Sequence, residues 1–110
     1  MITLGAQYYR PPFPDDKYWD DDMRRMGDAG LNTVQLWVLW GWVEPSPGEW
    51  LFDDYDRLVE LAAKHGLGVV LSAISEIQPY RIRLQAPGTE MVNNIGHTVA
   101  RRTGVSATLA

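Results

Sequence analysis

Cysteine is absent from the 110 residues, so neither a disulfide framework nor a thiolate metal site is available. Histidine is scarce: His65 and His97 are too few for a structural zinc site, and no metal or other cofactor is expected. There is no excess of positive charge. Ten basic residues stand against 14 acidic ones, a net charge of -4, which supplies no surplus cation to neutralise nucleic acid or an anionic membrane. Nowhere does the chain carry the ~18 consecutive apolar residues of a membrane span, and Met1 to Arg10 lacks the ~7–15-residue apolar core of a secretory signal. The expectation is a cytoplasmic protein without nucleic-acid or membrane partners. A hydrophobic share of 45% is too rich for a disordered segment, so the chain holds together by burial.

Residues 2–9 form a short β-prone run that stops where Pro11, Pro12 and Pro14 withhold backbone donors. Asp15 or Asp16 can cap a following helix, in which Trp19, Met23 and Met26 recur at helical spacing and Gly30 marks the end. From Asn32 to Trp40 the pattern alternates, with Val34, Leu36, Val38 and Trp40 on one face and Thr33, Gln35, Trp37 and Leu39 on the other. Asp53 is read as the cap of a second helix whose stripe is Tyr55, Leu58, Val59 and Ala62, closed by Gly66. Leu67 to Ile74 is an uncharged run suited to a strand covered on both faces. The predicted order is β-α-β-α-β, with strands near 3–9, 32–39 and 67–74 and helices near 16–29 and 54–65. Residues 76–110 show no clear period, and 81–110 are read as an irregular loop or tail.

A repeat lies inside that order. The run from Ala29 to Val34 and the run from His65 to Val70 share one helix stop and one strand entry, 36 residues apart. Such a step suits right-handed βα winding, in a (β/α)8 barrel or a doubly wound sheet. No glycine-rich turn follows any strand, which favours the barrel. A complete barrel needs ~250 residues, so residues 1–80 are read as about three N-terminal βα units of a TIM barrel belonging to a larger enzyme.

Barrel sites lie at the carboxyl ends of strands. There the chain offers Tyr8 and Tyr9, then Trp37 to Glu44, then Ser75 to Gln78. Flat indoles at Trp37, Trp40 and Trp42 can stack on the C–H face of a sugar, or simply fill a core. Glu44 and Glu76 follow successive strands, as the two carboxylates of a glycosidase would, although Glu44, ahead of Pro45, also suits a loop cap. Glu76 with Gln78 offers acceptors and an amide donor to hydroxyl groups, or makes a polar loop without ligand. His65 suits the negative end of a helix, His97 a loop, Asp20 to Asp22 a solvated face, and Arg101 with Arg102 solvent-exposed charges.

Leu4-Gly5-Ala6-Gln7-Tyr8-Tyr9, the segment Met26 to Val34, and Trp40-Gly41-Trp42-Val43-Glu44-Pro45-Ser46-Pro47-Gly48-Glu49-Trp50 with Phe52-Asp53 resemble the start of β-galactosidase-like glycoside hydrolases, family forty-two. The likeness spans about residues 2–80; Gln35 departs from it, standing where an arginine is common. The resemblance implies a retaining barrel glycosidase without a cofactor. It also implies that the acid/base glutamate, after strand four, and the nucleophilic glutamate, after strand seven, both lie beyond residue 110, so no catalytic residue is assigned here. Tyr8, Trp40, Glu76 and Gln78 are carried over as sugar contacts.

Two functions follow as expectations. One is the N-terminal part of a glycosidase acting on terminal β-D-galactosides, inactive by itself. The other is a non-catalytic carbohydrate-binding or assembly module, with exposed barrel edges that self-associate or meet a partner chain. An enzyme of phosphorylated metabolites lacks support, because barrel phosphate loops come late in the chain.

Overall fold

A computed structural model describes residues 1–8, 14–74, 80–86, 88 and 92–97. Its elements are β1 (Gly5–Gln7), a 3-10 turn (Asp16–Tyr18), α1 (Trp19–Asp28), β2 (Thr33–Leu39), α2 (Trp40–Val43), α3 (Asp53–Lys64), β3 (Gly68–Ile74) and α4 (Tyr80–Gln85). The chain divides into two compact units, one of Met1–Val38 with Leu51–Ala73 and one of Leu39–Trp50 with Ile74–Ala110.

The first unit is built by the repeat. Gly30 and Gly66 adopt φ of 91° and 74°, a left-handed conformation that only glycine enters without strain. At each, a paired closure follows: Gly30 N–H reaches Gly27 O at 3.0 Å and Leu31 N–H reaches Met26 O at 3.1 Å, while Gly66 N–H reaches Ala63 O at 3.1 Å and Leu67 N–H reaches Ala62 O at 2.8 Å. The carbonyls that a helix end would leave orphaned are thereby satisfied, and the leucine after each glycine turns inward. Leu67 is buried and Leu31 packs against the core. Ahead of α1, Asp15 caps the 3-10 turn by accepting from the Lys17 N–H, whereas α1 itself follows Tyr18 without a side-chain cap; Pro14 O accepts from the Trp19 indole, which seats Trp19 inward.

The strands lie in the order β1-β2-β3. β1 and β2 are parallel, with Gly5, Ala6 and Gln7 opposite Thr33, Val34 and Gln35, and the Tyr8 N–H extends the ladder to Gln35 O. β3 runs the same way: Gly68 N–H bonds Asn32 O at its start, and further along the Gln35 amide bonds Ser72 Oγ at 2.7 Å. Both partners advance together, as only parallel strands allow. Val34 and Leu36 of β2 meet Trp19 and Met23 of α1 and Leu58 and Ala62 of α3 in one buried core. Gly27 allows this approach of the helices, since a Cβ there would lie 2.8 Å from His65 O.

The predicted β-α-β-α-β order is therefore present, with three corrections of detail. Phe52, not Asp53, caps α3, without a side-chain bond; Asp53 is its first residue, placed with Asp54 and Asp56 at the positive helix end. Val59 is 37% exposed, and Leu61 packs on the core in its place. β3 is not covered on both faces: Val70 and Leu71, consecutive and so on opposite faces, are 47% and 56% exposed among the described residues. Two short helices were not expected, α2 where a turn was read and α4 in a segment given no element. Among the described residues no helix is long and apolar enough to cross a membrane.

Candidate functional site

The segment after β2 departs from the strand at once. Leu39 is still extended, with φ of -95° and ψ of 121°, and the next four residues close into α2 through the Glu44 N–H and Trp40 O, 2.9 Å apart. Glu44 then serves Trp40 a second time, accepting its indole N–H on Oε1 at 3.3 Å. Arg81 of α4 completes the arrangement: Nη2 donates to Glu44 O at 3.0 Å and forms an ion pair with Glu44 Oε1. These side chains retain only 17% and 13% of their accessible surface, so the pair is well shielded from water. Pro45 to Gly48 follow as a turn, in which the Glu49 N–H bonds Ser46 O at 3.0 Å.

The Glu44 oxygen that might have served chemistry is thus occupied by two protein donors. This fits the loop-cap reading of Glu44 that the following proline suggested. Arg81 was not legible, since its pairing spans 37 residues and no local pattern announces it. Its proximity to the end of β3 was the available signal.

Tyr8 lies in the first unit, on the face of β1 that meets α1. Its hydroxyl donates to Asp22 Oδ2 at 2.6 Å, and burial, the Asp22 hydrogen bond and the Asp22 charge together raise its pKa above the ordinary tyrosine value. With Asp22, Arg25, Met26, Ala29 and Leu31 it lines an open depression of about 330 Å³. Asp22 is therefore more than a member of a solvated face. The opposite face of the sheet carries Gln35, bonded to Ser72, and Trp37, whose carbonyl accepts the Tyr55 hydroxyl at 2.6 Å. The Trp37 indole nitrogen is buried without a partner among the described residues. Tyr8 and Trp40 belong to different units, and Glu76 and Gln78 lie outside the described residues.

Of the remaining candidates, Tyr9, Arg101 and Arg102 lie outside the described residues. His65 ends α3 and meets Asp20 of α1 at 2.7 Å, where Lys64 Nζ also arrives at 3.0 Å. The hydrogen bond from His65, then that from Lys64, holds the Asp20 carboxyl below its usual pKa. His97 is exposed, with its N–H bonded to Asn93 Oδ1. Among the described residues no group of histidine and acid side chains could hold a metal ion.

Comparison with known proteins places this geometry. The model of the glycoside hydrolase family 42, described as β-galactosidase, matches residues 8–105. β-Galactosidase BbgII of Bifidobacterium bifidum is 32% identical over 99 residues, which cover 89% of this chain and 14% of that protein. An exo-β-D-glucosaminidase of Pyrococcus horikoshii is 39% identical over 80 residues, covering 64% of this chain and 10% of that protein. In structure, β-galactosidase from the psychrophilic Marinomonas ef1 superposes with a TM-score of 0.79 at 24% identity, over 91% of this chain and 15% of that one. The three βα units are accordingly part of a (β/α)8 barrel, and the chain spans about one seventh of the length of the first of these relatives.

Proposed function

The chain belongs to glycoside hydrolase family 42, the β-galactosidases, and from that membership we propose that it forms the leading barrel portion of a retaining enzyme acting on terminal β-D-galactosides. The observation that carries this reading is the indole of Trp40, set at the first residue beyond β2 and tied to Glu44. Barrel enzymes draw their sites from such strand ends. An indole there offers a polarised face to the C–H surface of a sugar. Trp40, Glu76, Gln78 and the ring of Tyr8 are the proposed sugar contacts.

Retaining hydrolysis needs two carboxylates ~5–5.5 Å apart, one to protonate the leaving oxygen and one to attack the anomeric carbon. In this reading neither is supplied by residues 1–110. Glu44 has its Oε1 engaged by Trp40 and Arg81 and acts as an organiser of the loop. The reaction proposed here needs no cofactor.

The test is a chromogenic aryl β-galactoside offered to the chain alone and to a polypeptide continued through all eight units. No turnover is expected from the first, and turnover with retained anomeric configuration from the second. Turnover by the chain alone that disappears in Glu44→Gln or Glu76→Gln would place a catalytic carboxylate in this segment and overturn the assignment. A non-catalytic assembly module is the second reading, favoured by the exposed apolar Val70 and Leu71 on β3. It predicts that the continued polypeptide binds sugar without turnover.

A further inference from the structure

Within the second unit, every protein contact described for the Arg81 side chain goes to Glu44, at its carbonyl and its carboxylate. The two remaining nitrogens, Nε and Nη1, are buried with no partner among the described residues. Burying a guanidinium with donors left unmade is unfavourable, so a residue that served only to fill space would be better replaced by an apolar one. What Arg81 does achieve is directional. A single nitrogen, Nη2, reaches two oxygens of one residue at once, which fixes both the backbone and the carboxylate of Glu44.

Glu44 in turn holds Trp40 at two points, the carbonyl through its own N–H and the indole through Oε1. A ring held at backbone and nitrogen has little freedom left to turn about its side-chain bonds. We propose that the Glu44–Arg81 pair is a positioning device that fixes the plane of the Trp40 indole. Arg81 thereby belongs to the sugar-recognition apparatus without touching the sugar. That last step rests on the reading of Trp40 as a stacking surface; the fixing of the ring does not. An aromatic platform already oriented before binding loses less freedom when a sugar arrives.

The experiment uses the 110-residue chain and no ligand. The difference in near-ultraviolet circular dichroism between the parent and Trp40→Phe isolates the Trp40 signal, and the same difference is taken in each variant background. Arg81→Met should reduce that signal at least twofold, while Arg81→Lys, which keeps a charged donor for Glu44, should restore most of it. Glu44→Gln, nearly identical in shape, should weaken it also and covers the case in which Arg81→Met unfolds the second unit. The far-ultraviolet signal of α1 and α3, in the other unit, should not change. An undiminished Trp40 signal in Arg81→Met or Glu44→Gln would overturn the proposal. So would equal loss in Arg81→Lys, because packing shape and not the ion pair would then hold the ring. Failure of the glycosidase reading would show separately, in the sugar assays, which involve no change at Arg81.

Discussion

At Tyr8 a hydroxyl that could have met a ligand is turned to the protein's own Asp22, and its chemistry changes accordingly. A group whose pKa is raised on folding contributes stability that is complete below its unfolded value, 10.0 here, and is lost as pH climbs through the folded one. In a spectrophotometric alkaline titration, Tyr8 should therefore contribute a component above the ordinary tyrosine range, and that component should diminish in Tyr8→Phe. The same substitution should cost about 1.5–3 kcal/mol in denaturant unfolding, the range for a hydrogen bond to a charged acceptor. Asp20 behaves in the opposite sense. Its pKa is lowered from 3.8, so its contribution is present above that value and fades as pH falls through the folded one. Asp20→Asn should flatten the acid limb of the stability curve below about pH 4, with little effect of the substitution on that limb's shape near neutrality; an unchanged acid limb would show that the pair with Lys64 and His65 contributes nothing.

The elements differ in how far a reader of the sequence can foresee them. α1, β2 and α3 were legible because each is long enough to display a period and each helix ends on a glycine that the closure requires, and β3 because it is a continuous uncharged apolar run. α2 and α4 were not, since four and six residues are too few to reveal a 3.6-residue repeat. Trp40 could be placed at the end of β2 by alternation, but its tie to Glu44, and through Glu44 to the sequence-remote Arg81, could not. The cap of α3 was misread because Asp53 and Phe52 are adjacent and the acid is the usual cap; here its charge serves the first turn instead. At the glycine stops the prediction is sharp. Gly30→Ala or Gly66→Ala should each cost about 1–2 kcal/mol, because a Cβ opposes the left-handed backbone. Neither site has an atom within 4 Å to clash, so the loss should be the same for alanine and serine. Gly27→Ala should lower stability by a different route, driving α1 away from His65 O.

For the molecule as a whole, the described sheet ends in a strand with exposed Val70 and Leu71. Burying such a side chain yields about 1.5–3 kcal/mol, against a total stability of about 5–15 kcal/mol for an ordinary domain. The isolated chain is therefore expected to bind a hydrophobic dye and to self-associate, with sedimentation showing species larger than a monomer. A compact monomer with a cooperative melt and no dye binding would contradict this and favour the self-sufficient module.

The strand order in the sheet repeats the strand order in the chain. A polypeptide leaving the ribosome can thus complete β1, α1 and β2 before α3 has been made, and α3 and β3 then dock on a surface already in place. Assembly acquires a direction. The free side of β3 is where a following strand would be laid down, on an edge that β1, α1 and β2 have already built.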